Sequence, residues 1–220
     1  MNLNSISLRE RKHAETKVAL LKIFLKKLAK KSFEEISVKE LCEDVLISDV
    51  TFFNYFPSKS DLLVYYIQIW SIEVQYHIQK ELKDSGYLKE IEYIFEHTAK
   101  IIEENPNLMT EIIAYVTINF TKIRFGQISN AEKLIAFPGL QDVEKVEPVN
   151  LNELFEIRIK KAIGKKELPD NTDIEGLTFS LISIFFGTPI GWTKLDPKKV
   201  SLLYKHNLGI LWKGARLNFQ

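Results

Sequence analysis

The sequence predicts an all-α protein of about nine or ten helices. Three observations carry this. Apolar residues recur every three or four positions along most of the 220 residues, the period of a helix with one buried face. Capping serines stand three residues ahead of an acid or a hydroxyl at Ser32, Ser37, Ser48 and Ser58, an arrangement that starts helices. The period-two alternation of a half-buried strand is nearly absent.

Ala14, Val18, Leu21, Leu25 and Leu28 are spaced at four, three, four and three with lysines between them, which predicts a first helix over about 8–31. Ser32, Ser37 and Ser58 each precede an acid (Glu35, Glu40, Asp61) able to cap back onto the serine amide. Ser48 has no such acid, but Asp49 in the first turn suits the positive end of a helix. Starts at Ser37, Ser48 and Ser58 leave room only for short helices, at 37–44 and 48–54. A long helix is expected over 59–83, ended by Asp84-Ser85-Gly86. Further helices are expected at 87–104, 107–126, 128–136, 149–164, 172–187 and 197–214. Asn105-Pro106, Pro138-Gly139, Gly164, Pro169, Pro189 and Pro197 supply the breaks. The polar, proline-bounded stretch 137–149 reads as a loop.

Composition narrows the function. Hydrophobic residues at 45% and charged residues at 27% fit a soluble globular chain, and a net charge of +1 gives no overall affinity for polyanions. Between Arg9 and Lys31, however, lie nine basic residues against Glu10 and Glu15. Such a stretch is either the footprint of nucleic-acid contact or a solvated helix face. A single cysteine, Cys42, excludes a disulfide framework and fits a reducing interior. The N-terminus lacks the apolar run of a secretory signal. The uncharged run 176–193 reaches the length of a bilayer span, but three glycines and a proline dilute it. A buried or intersubunit helix is expected there, in a cytoplasmic protein without a membrane partner. His13, His77, His97 and His206 are scattered, and no phosphate loop or nucleophile elbow is present. No catalytic residue, metal or cofactor is predicted.

The short helices at 37–44 and 48–54, with the turn from Asp44 to Ile47, have the size of a helix-turn-helix unit, whose second helix enters the major groove of DNA. Its core is expected from Phe24, Leu28, Phe33, Ile36, Val38 and Leu41, with Val45, Phe52, Phe56, Leu62 and Leu63. Phe52 and Phe56, four apart, share the inward face, leaving Phe53 and Tyr55 to point outward. The runs ISVKELC at 36–42 and TFFNYFPSKSDLL at 51–63 resemble the N-terminal pattern of the TetR/AcrR family of transcriptional regulators, over about residues 12–65.

The resemblance implies a helix-turn-helix head over 1–58, a connecting helix over 59–84 and an effector-binding and dimerisation domain over 85–220. It places Thr51, Tyr55 and Lys59 at phosphates, with Ser37 and Ser48 adding contacts at their helix starts. Lys39, Asp49, Val50 and Phe53 fall where base edges are approached: lysine suits guanine, aspartate suits cytosine N4, and valine or phenylalanine suits a thymine methyl. For Ser48 and Asp49 a capping role stays open, as does an exposed, uncommitted Lys39. Leu46 stands where the family commonly has glycine, which implies a turn without positive φ. Val50 stands where a small residue is frequent and Phe53 where tyrosine is usual, removing one phosphate hydrogen bond. Cys42, at an alanine position, reads as a small buried hydrophobe.

Further along, Phe95, Met109, Ile113, Val116 and Phe120, with Phe125, Phe155, Phe179 and Phe186, either line an apolar cavity between helices or pack as plain core. The resemblance makes the last two long helices a dimer interface through Leu177, Leu181, Ile184, Phe185, Leu203, Leu208 and Leu211. The expected protein is a homodimeric repressor, released from a near-palindromic double-stranded operator by a small, mainly apolar effector. A second reading is a helical interaction protein of the same fold without sequence-specific DNA binding.

Overall fold

The computed structural model describes residues 6–83, 85–119, 123–192 and 196–216. Among these residues there are ten α-helices and no strand. The chain forms two compact units, Met1–Tyr76 with Glu111–Pro148, and His77–Thr110 with Val149–Gln220.

In the first unit, α1 (Leu8–Leu28) starts at a reciprocal cap: the Glu10 amide donates to Ser7 Oγ at 3.2 Å while the Glu10 carboxylate accepts the Ser7 amide. Its buried face is Ala14, Val18, Leu21, Phe24 and Leu28, with Leu25 only half-buried. It ends three residues earlier than the periodicity suggested. The residues 32–35 keep their serine–acid cap but form a turn, not a helix. Then come α2 (Val38–Val45), α3 (Asp49–Tyr55) and the start of α4 (Asp61–Glu81), where the Asp61 carboxylate accepts the Ser58 amide and hydroxyl at 2.7 Å. The expected core is buried except for Phe33, Val38 and Val45, which are half-covered.

The compact units cut the chain differently from the domains read in the sequence, because residues beyond 110 return to the first helices. The end of α6 (Pro106–Asn119) and all of α7 (Asn130–Ala136) belong to the first unit, and α7 packs along α1. A buried ion pair joins them, Lys17 Nζ to Glu132 Oε1 at 2.6 Å, with the ammonium 4.5 Å from the centre of the Tyr65 ring. Burial opposes ionisation of Glu132, but Lys17 and the Ser129 cap outweigh it and the carboxyl is held below its usual range. The fully buried Lys133 donates to Glu147 Oε1 at 2.6 Å and to the Glu144 carbonyl, anchoring the 137–149 segment. That segment holds a short 3-10 turn at Val143–Lys145 with Val143 and Val146 buried, so it is not purely a surface loop. No helix continues through 123–129, where one had been expected to 126.

The second unit packs α5 (Tyr87–Glu104) against α8 (Leu151–Gly164) and α10 (Lys198–Arg216), and α9 (Ile174–Trp192) against α8 and α10. The start of α5 has no local side-chain cap. Instead Glu167, eighty residues away, accepts the Tyr87 and Leu88 amides at 2.9 and 3.0 Å. Gly86 makes room with φ +96, since a Cβ there would meet that carboxylate at 3.3 Å.

Pro189 does not end α9, which runs on to Trp192. A proline removes the amide that would bond the carbonyl four residues back, here Phe185. The buried Tyr204 of α10 supplies a replacement, its hydroxyl donating to the Phe185 carbonyl at 2.6 Å. Its ring completes a cluster with Phe95 and Phe185. Tyr204→Phe is expected to cost about 0.5–1.5 kcal/mol in urea denaturation, the net contribution of one hydrogen bond. Adding Pro189→Ala restores an amide to that carbonyl and should recover part of the loss.

Candidate nucleic-acid interface

The α2–turn–α3 unit is fixed from both sides. The Glu40 amide donates to Ser37 Oγ at 3.1 Å, capping α2. The Glu40 carboxylate, expected to cap back, instead accepts Lys27 and Lys31, each at 2.6 Å, and Lys27 also reaches Asp44 at 2.6 Å. These ion pairs tie α2 to the last turns of α1. Lys27, then Lys31, hold the Glu40 carboxyl down at about 2.

The turn corrects one expectation. Leu46 has φ 60 and ψ 46, the left-handed conformation. The Ile47 amide donates to the Cys42 carbonyl at 3.0 Å and the Leu46 amide to Glu43 at 3.3 Å, which is the Schellman closure usually given to glycine. The backbone therefore keeps the glycine geometry, and Leu46 accepts the steric cost of a Cβ with its side chain 90% exposed.

On α3, Ser48 Oγ accepts the Thr51 amide at 3.1 Å and bonds the Thr51 hydroxyl at 2.8 Å. Phe52 is fully buried and Phe56 nearly so. The opposite face carries Val50 (72% exposed), Phe53 (51% exposed) and the exposed Asn54, which the sequence reading passed over. Its spacing of four from Val50 was the available signal. The Phe53 ring leans edge-on against Phe52, centroids 5.4 Å apart, so it is held out rather than loose. Tyr55 is half-buried, with its ring edge against His13 at 4.7 Å. Burial and the neighbouring Asp49 carboxylate push the Cys42 thiol up to about 11, so it stays a neutral, buried group.

Lys59 sits differently from the expectation of a phosphate contact. Its ammonium donates to the Phe33 and Ile36 carbonyls at 2.5 and 2.7 Å and lies 4.1 Å from the centre of the Phe33 ring. Two of its three donors thus close the turn before α2, and burial pushes its pKa down. Among the nine basic residues of α1 and its end, Arg11, Lys17, Lys27 and Lys31 are in ion pairs. Arg9, Lys12, Lys22, Lys26 and Lys30 are exposed and form none among the described residues, and neither does the exposed Lys39 on α2.

The expected pocket and dimer residues scatter. Phe120 lies outside the described residues. Ile113, Val116 and Phe125 belong to the first unit, and Phe95, Met109, Phe155, Phe179 and Phe186 to the second. Phe95 and Phe155 are sealed and stacked with centroids 5.6 Å apart, the core alternative rather than a cavity wall, whereas Phe179 is 71% exposed. Leu177, Leu181, Phe185 and Leu208 are buried within their own unit, where they hold α9 and α10 in place. Ile184, Leu203 and Leu211 are half-buried. Among the described residues no group of three or more His, Cys, Asp or Glu could hold a metal ion.

No family model and no curated protein matches the sequence. Solved structures do match in fold. A TetR-family transcriptional repressor of Thermus thermophilus, FadR, in complex with lauroyl-CoA, superposes with a TM-score of 0.65 at 16% identity, over 93% of this chain and 97% of that one. A TetR transcriptional regulator of a Rhodococcus species gives 0.52 at 15%, over 88% and 95%. A TetR-family regulator of Chloroflexus aurantiacus gives 0.50 at 15%, over 93% and 94%. The chain has the fold of these regulators.

Leu46→Gly is expected to stabilise the protein by about 1 kcal/mol, read as a raised denaturation midpoint, because glycine meets no Cβ penalty at positive φ. A folded pKa of about 2 for Glu40, below its ordinary 4.5, means that its contribution is complete above pH 4.5 and is lost as pH falls toward 2. Glu40→Gln should therefore flatten the acid limb of stability, and the Glu40 titration followed by NMR should move up in Lys27→Ala.

Proposed function

We propose that this protein is a DNA-binding transcriptional regulator acting as a homodimer, its head presenting α3 to the major groove of a near-palindromic operator. The observation that carries the reading is the partition of α3. Phe52 and Phe56 go into the core while Val50, Phe53 and Asn54 stand exposed on a capped, anchored second helix of a helix-turn-helix. Lys39, the hydroxyl of Tyr55 and the unpaired cations of α1 supply the phosphate contacts, with Lys59 holding the turn they surround. Ser37, Ser48 and Thr51 act first as caps.

A second copy meets the outward face of α9 and α10. Phe179, Ile190, Leu202 and Ile210 on those two helices are large apolar residues 58–71% exposed, and only 28% of the apolar window of α9 is buried. That helix is long and apolar enough to cross a membrane by composition alone, and pairing with a second copy is the other way to cover it. Two heads in a dimer can then engage successive major grooves about 34–36 Å apart. The effector is a small, mainly apolar molecule bound in the second unit. It releases DNA by favouring one of two head arrangements, which requires unequal affinity for the two. The helices α4 and α6, each shared by both units, provide the covalent route for that coupling.

Incubating the purified full chain with genomic fragments and sequencing what is retained tests the reading, with enrichment of a few sites expected. Fluorescence anisotropy on a retained fragment should show Lys39→Ala lowering affinity at every sequence alike and reducing the log–log salt slope by about 1. Retention without sequence preference would support the interaction protein of the same fold. In sedimentation, the chain is expected to be a dimer and Phe179→Glu with Leu202→Glu a folded monomer.

A further inference from the structure

The face of α3 that points away from the core carries chemistry of one kind. With 3.6 residues per turn, Val50, Phe53 and Asn54 fall within an arc of about 100°, opposite the buried Phe52. Two of the three are apolar and the third is a neutral amide. The helix, residues 49–55, contains no lysine, arginine, histidine or glutamine, so it has no side chain for the bidentate contact to guanine O6 and N7 that lysine or arginine provides. The hydroxyls of Ser48 and Thr51 are bonded to one another at 2.8 Å, and the Asp49 carboxylate lies against the Cys42 thiol.

Resting on the reading of this head as a DNA-binding unit, we infer that α3 selects A·T pairs. Val50 and Phe53 pack against thymine C5-methyl groups, and Asn54 makes the paired contact to adenine N6 and N7. The chemistry leaves little alternative in a groove. Of the four base-pair orientations, only those with thymine present a methyl group. An apolar side chain placed on a guanine or cytosine edge would instead strip water from hydrogen-bonding groups and return nothing. Asn54 fits the same selection, because an amide can accept from adenine N6 and donate to N7 together. The edge contact between Phe53 and Phe52 matters here, since a ring already held outward gives up little freedom on meeting a methyl group. Lys39 is the one exposed cation of the two short helices, and it stands on α2, outside the reading face of α3, where it is assigned to phosphate.

Selection from a random duplex library on the full-length protein gives the test. The expected half-site is A·T-rich, with thymines and an adenine among its critical positions. Replacing its thymines by deoxyuridine, which removes only the methyl group, should weaken anisotropy-measured binding about fourfold for each contacted base. Val50→Thr, equal in shape and exposed, should shrink the thymine–uracil difference at one position, and Asn54→Ala should relax adenine preference about tenfold at another. Circular dichroism confirms that both variants remain folded. A half-site whose critical pairs are G·C, or unchanged binding to the uracil duplex, overturns this inference and leaves the regulator standing. Absence of any retained duplex overturns both, and would turn the exposed apolar strip toward a protein partner.

Discussion

The head depends on which side of one short helix goes inward. Isolated helices below about 12–15 residues are marginal in water, and α3 has seven. It persists because Phe52 and Phe56 are buried, each contributing on the order of 1.5–3 kcal/mol, and because Ser48 closes its start. Once those rings are inside, the helical period leaves no choice about the outside. Val50, Phe53 and Asn54 must be exposed, and the same contact that stabilises the helix orients its reading face.

Cations in this head serve two purposes that the sequence alone does not separate. A lysine stretch looks like a uniform positive face, yet its members differ in what lies across from them. Lys27 and Lys31 meet Glu40, and Lys17 meets the buried Glu132 beside aromatic rings. Lys59 turns its ammonium to the carbonyls of residues 33 and 36. Each of these ties one helix or turn to another. What is left for a polyanion is the set without internal partners, smaller and more dispersed than the count of lysines suggests.

Local signals in the sequence were read well because their causes are local. Ser37, Ser48 and Ser58 cap or close helix starts through atoms three residues away, while Ser32 makes the same serine–acid bond but closes only a turn. The inward Phe52 and outward Phe53 follow from spacing alone. The expectations that changed involve partners far along the chain. Pro189 reads as a break until Tyr204, fifteen residues on, supplies the missing donor. The start of α5 looks uncapped until Glu167 arrives. Residues 128–136 give no hint that their helix lies along α1. Leu46 is the exception, a local conformation that its side chain disfavours, imposed by the helix on either side of the turn. Apolar character marks both faces of α9, and only packing tells that Leu177, Leu181 and Phe185 are taken up within their own unit.

The two apolar surfaces of the proposed regulator bear on one another. In that proposal counterion release, the sequence-independent term that each neutralised phosphate supplies, comes from the exposed cations of α1 and Lys39 and does not tell one site from another. Methyl contacts add selectivity of only about fourfold apiece, so a single head of this kind would discriminate weakly. Joining two heads makes the second engagement intramolecular, and avidity can then exceed single-site affinity by about 10² to 10⁴ without a new contact. On the proposed reading, the exposed residues of α9 and α10 would matter to recognition as much as Val50 and Phe53. A head of the proposed kind would gain from being presented in pairs, and sensitivity to an effector would follow from the same arrangement. In such a dimer, misaligning one head would forfeit the gain from linkage, so a small change in spacing would suffice for release.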